Sequence, residues 1–250
     1  MSPPHRVTLR ALYQLPAYYL TLLFFGVGAL EICLVGLLTG WWPASERSER
    51  FFQWLIHRHL ALLHGWCALT RLIHVRYHGF DAWPEGGLVL AANHPALSDV
   101  TCLLARMPGA VFIFKPALRH NPLLAAAARR AGHLGSDGGP GLLRDAVKKL
   151  AAGHTLVVFP EGTRTSPGQP VLPFKGGFVL FARQARVPIQ LVRITTDSDL
   201  LTKGWVWWRL PKLPARIELT AGPRVATDTD ASSAALTAEI EAWFRAPASR

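Results

Sequence analysis

Seven consecutive residues carry the first chemistry in the chain: Asn93-His94-Pro95-Ala96-Leu97-Ser98-Asp99. An imidazole and a carboxylate five positions apart suit a turn that brings the carboxylate back to one ring nitrogen. The carboxylate then fixes the tautomer and stabilises the imidazolium, leaving the other nitrogen to take a proton. A His–Asp pair of this kind suits activation of a hydroxyl that belongs to a substrate. The spacing also permits a second reading, with Asp99 capping the following helix and His94 a plain loop residue.

The second stretch is Phe159-Pro160-Glu161-Gly162-Thr163-Arg164-Thr165. Its glycine allows close backbone approach, and exposed amides can meet an anion. Arg164 adds a planar, two-pronged donor that matches phosphate. An ordinary turn with a surface arginine is the alternative. Phe174-Lys175-Gly176-Gly177-Phe178 follows, where Lys175 is either a further phosphate contact near a helix start or a solvated lysine.

These stretches need elements to hold them. Short apolar runs at 88–92 (LVLAA), 110–114 (AVFIF), 155–159 (TLVVF), 189–194 (IQLVRI) and 216–220 (RIELT) read as strands. Most are apolar on both faces, as in a sheet covered on both sides. Between and after them, 99–106, 122–131, 141–152, 176–186 and 231–244 read as helices, and SDGGPG at 136–141 reads as a loop. The alternation predicts an α/β fold, a largely parallel mixed sheet flanked by helices. His94 and Arg164 then sit on loops after strands, where such folds build their sites.

The first 75 residues differ in character. Residues 17–38 form an apolar run long enough to cross a hydrocarbon core of roughly 30 Å. Glu31 lies inside it, Arg6 and Arg10 precede it, and Trp41 and Trp42 close it as an interfacial anchor would. A secretory leader fits less well, because the run is long and no small-x-small site follows. Residues 51–73 have a helical period with Leu55, Leu62, Trp66, Leu69 and Ile73 on one stripe. That stripe suits either a membrane surface or the protein's own domain. Residues 43–50 (PASERSER) read as the turn between. The expectation is a membrane-associated helical hairpin over 1–75 that returns the chain to its starting side, followed by a catalytic domain over 76–250.

Composition narrows the partners. Half of the 250 residues are apolar and 17% are charged, which suits a folded domain with an appendage. Lys and Arg outnumber Asp and Glu 27 to 16, for a net charge of +11, so partners are expected to be anionic. Nine tryptophans and a mean hydropathy of +0.20 turn that expectation from nucleic acid toward lipid. The basic residues are scattered, with no nucleic-acid recognition motif among them. Three widely spaced cysteines, Cys33, Cys67 and Cys102, make neither a zinc pattern nor a disulfide framework.

Taken together, the two motifs resemble the glycerolipid acyltransferase family, which includes the lysophosphatidate acyltransferases. NHPALSD is similar to its His-x4-Asp block, and FPEGTRT to its Glu-Gly-Thr-Arg block, in the same order. FKGG and VPIQLV (187–192) resemble two weaker downstream blocks, and the likeness runs over roughly residues 75–200. It implies His94 as general base and Asp99 as its orienting partner. Asn93, Glu161, Gly162, Thr163, Arg164 and Lys175 would bind substrate, with Arg164 on the phosphate of the acceptor. The co-substrate would be acyl-CoA or acyl-carrier protein, the partners membrane lipids, with no metal, no redox cofactor and no obligate protein partner. A domain using a cytosolic thioester faces the cytoplasm, at the inner membrane in a bacterium. The N-terminal helices resemble membrane-docking helices of some family members. Two positions depart from the family pattern. Gly138 stands where members using glycerophosphate acceptors usually have arginine, and Leu191 stands where the last block usually has a second proline. The first departure leaves open a different lipid or secondary-metabolite hydroxyl or amine as acceptor, with Arg129, Arg130 and Arg144 as substitutes at other spacings. A membrane-binding protein that keeps the fold without catalysis is the reading from another class.

Overall fold

The structure is a computed structural model, and it describes residues 9–81, 83, 86–115, 121, 124–137, 139–166 and 168–247. Two helices lead. The first, α1 (Leu9–Leu38), runs through Pro16 and includes the apolar segment Leu12–Leu38, which is long and apolar enough to cross a membrane. The second, α2 (Glu46–Leu69), starts inside the stretch expected to be a turn. The reason is a capping box: Ser45 Oγ accepts the Ser48 amide at 3.3 Å, and the Ser45 amide donates to Ser48 Oγ at 3.0 Å. Cross-contacts pair Trp42 with Phe51, Phe24 with His59, and Thr21 with Trp66. As one number falls the other rises, so the two helices form an antiparallel hairpin. Gly28 permits the close approach, since a Cβ there would meet the His59 ring at 2.1 Å.

A seven-stranded sheet follows, in the order β1-β7-β6-β2-β5-β3-β4. Its strands are β1 (Ile73–His78), β2 (Leu88–Ala92), β3 (Val111–Phe114), β4 (Leu134–Gly135), β5 (Thr155–Val158), β6 (Ile189–Thr196) and β7 (Ala215–Val225). All neighbours are parallel except β6 and β7, so the sheet is mixed and largely parallel, as the alternation of runs predicts. Helices α3 (Ser98–Arg106), α4 (Ala125–Arg130), α5 (Pro140–Ala151), α6 (Gly177–Ala185) and α7 (Ser233–Arg245) connect and flank it. One core packs Phe178, Leu236 and Ile240 with Val89, Leu156 and Leu191 from the strands; the other sets Leu103 and Cys102 with Leu90, Val157 and Ile217. Burial on both faces explains why every residue of β2 is buried and apolar.

Two strands escaped the sequence reading. β1 alternates half-buried and exposed residues at the sheet margin, so it has no apolar run to betray it. Ile73, assigned to the helical stripe, is its first residue, because the chain turns at Arg71 with φ 53°. The strand therefore begins three residues before position 76. β4 is only two residues long. The helix expected over 122–131 is described as Ala125–Arg130; Pro122 and Leu123 lie outside the described residues.

The hairpin rests on the domain. Gln53 Nε2 donates to the Ala131 carbonyl at 2.9 Å, and Glu49 forms an ion pair with Lys149. The buried face of α2 carries Phe52, Leu60, Leu63 and Cys67. The expected stripe is therefore offset from the packed one: Leu62 and Leu69 are exposed, and Leu55 and Trp66 are half-buried. Trp54 and much of α1, from Leu12 to Leu38, also present apolar surface to the outside.

Candidate active site

Sheet register brings the two motifs together. β2 and β5 are parallel neighbours with Ala91 opposite Val158, so the loops after them leave the same edge side by side. His94 lies three residues past Ala91, and Glu161 three past Val158. The His94 amide donates to Glu161 Oε1 at 2.9 Å, and the Thr165 amide donates to the His94 carbonyl at 2.8 Å. On the other flank Asn93 extends the β2–β6 ladder with its side chain. Its Nδ2 donates to the Ile194 carbonyl at 2.8 Å and its Oδ1 accepts the Ile194 amide at 2.7 Å. The histidine backbone is thus fixed from both sides.

Asp99 sits in the first turn of α3, where the helix dipole favours a carboxylate. Its Oδ2 is 2.9 Å from His94 Nδ1 and accepts the Ala96 amide at 2.9 Å. The carboxylate is fully buried, whereas the imidazole retains 12% exposure. Burial pushes the Asp99 carboxyl above its ordinary range, and the His94 and Ala96 N–H groups pull it back. Phe159 stacks on the imidazole with centroids 4.1 Å apart and planes 17° apart, restricting ring rotation. With Nδ1–H donated to Asp99, Nε2 is the nitrogen able to accept a proton. Asp99 therefore holds a turn amide and the imidazole together, and it does not cap α3, whose N-cap Leu97 has no side-chain cap bond.

Glu161, read as a substrate ligand from the sequence, is 4% exposed and its oxygens are committed within the protein. Besides the His94 amide it accepts Thr165 Oγ1 at 2.9 Å on both oxygens, and the Leu172 amide at 2.8 Å. Asn93 is likewise buried and bonded through both ends of its amide. Four residues of this neighbourhood reach solvent. Gly162 is exposed, with φ 66°, a left-handed backbone that glycine adopts without strain. Thr163 is half-buried in the same turn. Lys175 is exposed and packs over that glycine, since a Cβ at Gly162 would lie 3.1 Å from Lys175 Nζ. Arg164 is half-buried and donates through Nη1 to the carbonyls of Leu201 and Thr202, each at 2.9 Å. Gly138 lies outside the described residues.

The segment around Leu201 was missed by sequence reasoning. Its carbonyl accepts the Leu97 amide at 3.0 Å, and Thr202 bridges to Ala96. Its apolar residues, Leu200, Leu201 and Trp205 to Trp208, follow neither a strand nor a helix period, so only the folded chain reveals that it roofs the His94 turn. The stacking partner Phe159 was written into the second motif, but nothing in its spacing pointed at the imidazole.

A largely parallel sheet thus carries a buried carboxylate–imidazole pair at its strand ends. Residues 74–195 match the sequence model of the Acyltransferase family. The 1-acyl-sn-glycerol-3-phosphate acyltransferase of Helicobacter pylori is 31% identical over 122 residues, 46% of this chain and 52% of that protein. The lyso-ornithine lipid O-acyltransferase of Pseudomonas aeruginosa is 33% identical over 120 residues, 46% of each. The chain thus spans about half the length of these curated relatives. The fold is that of the 1-acyl-sn-glycerophosphate acyltransferase PlsC from Thermotoga maritima, with a TM-score of 0.74, 24% identity and 95% of both chains covered.

Proposed function

We propose that this chain is a membrane-bound acyltransferase that moves a fatty acyl group from acyl-CoA or acyl-carrier protein to the free hydroxyl of lysophosphatidate, giving phosphatidate. The observation that carries this reading is the 2.9 Å contact between His94 Nδ1 and the buried Asp99 carboxylate, at the strand ends and beside Arg164 and Lys175. In the reaction, the acceptor hydroxyl gives its proton to His94 Nε2 as its oxygen attacks the thioester carbonyl carbon. Asp99 stabilises the imidazolium. The tetrahedral oxyanion collapses, the carbon–sulfur bond breaks, and His94 returns the proton to the departing sulfur. An ester and a free thiol result. Arg164 and Lys175 hold the acceptor phosphate, while Asn93 and Glu161 keep the His94 backbone in place rather than touching substrate.

The exposed apolar face of α1 supports membrane attachment, with the catalytic domain and the start of α1 on the cytoplasmic side of the bilayer. Protease protection in sealed vesicles tests the topology: the N- and C-termini are expected on the same face. For the chemistry, purified protein in mixed micelles is supplied with labelled acyl-CoA or acyl-carrier protein and lysophosphatidate. Phosphatidate forms with wild type, and His94→Ala loses about 10²–10⁴-fold. Absence of product with both donors discards lysophosphatidate as acceptor.

Three observations favour a second acceptor class. Arg164 already commits Nη1 to two backbone carbonyls, Gly138 stands where members of the resembled family that use glycerophosphate acceptors usually have arginine, and one relative is named for a lyso-ornithine lipid. Arg164→Ala separates the readings. With a phosphorylated acceptor it raises the apparent KM by about tenfold or more, the loss of one charge-assisted contact; with a phosphate-free acceptor KM stays within about twofold.

A further inference from the structure

Residues 198–212 form a loop that the reaction scheme does not use. Its base is closed: Ser198 Oγ donates to the Lys212 carbonyl at 2.7 Å, and Asp199 Oδ1 accepts the Lys212 amide at 2.8 Å. Its interior packs Leu200, Leu201 and Trp205 with Tyr18 of α1. Tyr18 and Tyr19 donate their hydroxyls to the carbonyls of Trp207 and Trp208, at 3.3 and 3.2 Å. The loop is thus clamped to α1 at one end and to the His94 turn at the other, through Arg164, Leu97 and Ala96. Yet two of its exposed side chains are indoles: Trp207 is 61% exposed and Trp208 63%.

A loop held this firmly has no need of two indoles in water. They adjoin the exposed Tyr19 and continue the apolar surface of α1 through Leu12, Tyr13 and Leu15. The same loop carries Lys203, Arg209 and Lys212 against a single acid, Asp199, which pairs with Arg209 at 3.5 Å. Indoles that keep one polar edge, on a loop with excess positive charge, match the chemistry of a bilayer interface with anionic headgroups. We propose that the 198–212 loop is a second membrane-contacting element. It inserts Trp207 and Trp208 at the headgroup level of an anionic bilayer and, through the Arg164 clamp, seats the mouth of the His94 site on the lipid surface. An acidic carrier protein would also meet the cations, but it gives no reason for the indoles to continue the face of α1.

The first test does not depend on the acyltransferase reading. Full-length protein is reconstituted in vesicles containing anionic lipid and bromine-labelled acyl chains, and tryptophan emission is recorded. The conservative pair Trp207→Phe/Trp208→Phe removes two of the nine indoles while keeping the apolar bulk. If the loop inserts, the bromolipid-quenchable emission falls relative to wild type by the share of two interfacial indoles. Equal quenchable emission in both proteins overturns the proposal, as does protection of Trp207 and Trp208 by acidic carrier protein but not by vesicles. A kinetic arm then reads the consequence. Trp207→Ser/Trp208→Ser is expected to raise the apparent KM for acceptor in anionic vesicles on the order of tenfold, with kcat unchanged in detergent micelles. An unchanged vesicle KM refutes the seating of the site. Inactive wild type would strike the proposed reaction alone, and the quenching result would still decide the loop.

Discussion

Replacing Asp99 by asparagine separates the dyad's chemical role from its structural one. The side chain keeps its shape, and an amide oxygen can still accept the Ala96 amide, now at 2.9 Å from the carboxylate. What disappears is the negative charge 2.9 Å from His94 Nδ1. With an effective dielectric constant of about 20, a unit charge pair at that distance is worth about 6 kcal/mol, on the order of four decades in rate. The retained hydrogen bond recovers part of this, so kcat is expected to fall about 10³-fold. Acceptor KM should hold, because Asp99 is sealed from the surface. Stability should not fall with activity. Burial pushes this carboxyl upward, so holding it ionised at neutral pH is unfavourable to the fold, and its Oδ1 has no hydrogen-bond partner among the described residues. The sign follows: an acid raised in the folded state loses stabilisation as pH climbs, and the neutral amide removes that loss. The assay is thiol release from acyl-CoA in mixed micelles, beside the thermal midpoint of the same preparation. A kcat within about threefold of wild type would refute the dyad. A collapsed thermal midpoint would make Asp99 a structural residue first.

Two further outcomes can be checked alongside it. Glu161→Gln turns an all-acceptor group into one with an N–H face, which must oppose the His94 or the Leu172 amide. Activity and thermal midpoint should therefore fall together, with about 2 kcal/mol of stability lost in denaturant titration; a catalytic loss with unchanged stability would assign Glu161 to substrate after all. His133 is half-buried beside Phe112, whose amide donates to its Nδ1 at 3.4 Å; its Nε2 is sealed from solvent, and desolvation depresses its pKa from 6.5 to about 4. A base depressed in the folded state leaves the unfolded chain binding more protons between those values, so stability drops as pH falls from about 6.5 to 4, by on the order of 3 kcal/mol. His133→Asn, which keeps an acceptor for the Phe112 amide, should flatten this slope when denaturation midpoints are compared across that window; an unaltered slope would mean another group titrates there.

The sequence by itself determined the two motifs and the class of fold. The imidazole and carboxylate five residues apart, the arginine and glycine of the second motif, and the short strands apolar on both faces all depend on local spacing and on which residues tolerate burial. Those properties survive in the linear chain. So does the apolar length of α1. The tertiary structure decided whatever depends on register. The parallel pairing of β2 with β5 sets Glu161 under the His94 amide, which turns an expected ligand into a buried support. The alternating, half-exposed β1 acquires its identity only from its pairing with β7. The roof over the site comes from 198–212, more than a hundred residues after His94 and without a periodic signal, because closing a long loop leaves no mark on neighbouring residues. Which face of α2 is packed followed the same rule. Its two apolar stripes look alike in sequence, and the packing of α1, α3 and α4 against it selects Phe52, Leu60 and Leu63 for the core, leaving Leu62 and Leu69 outside.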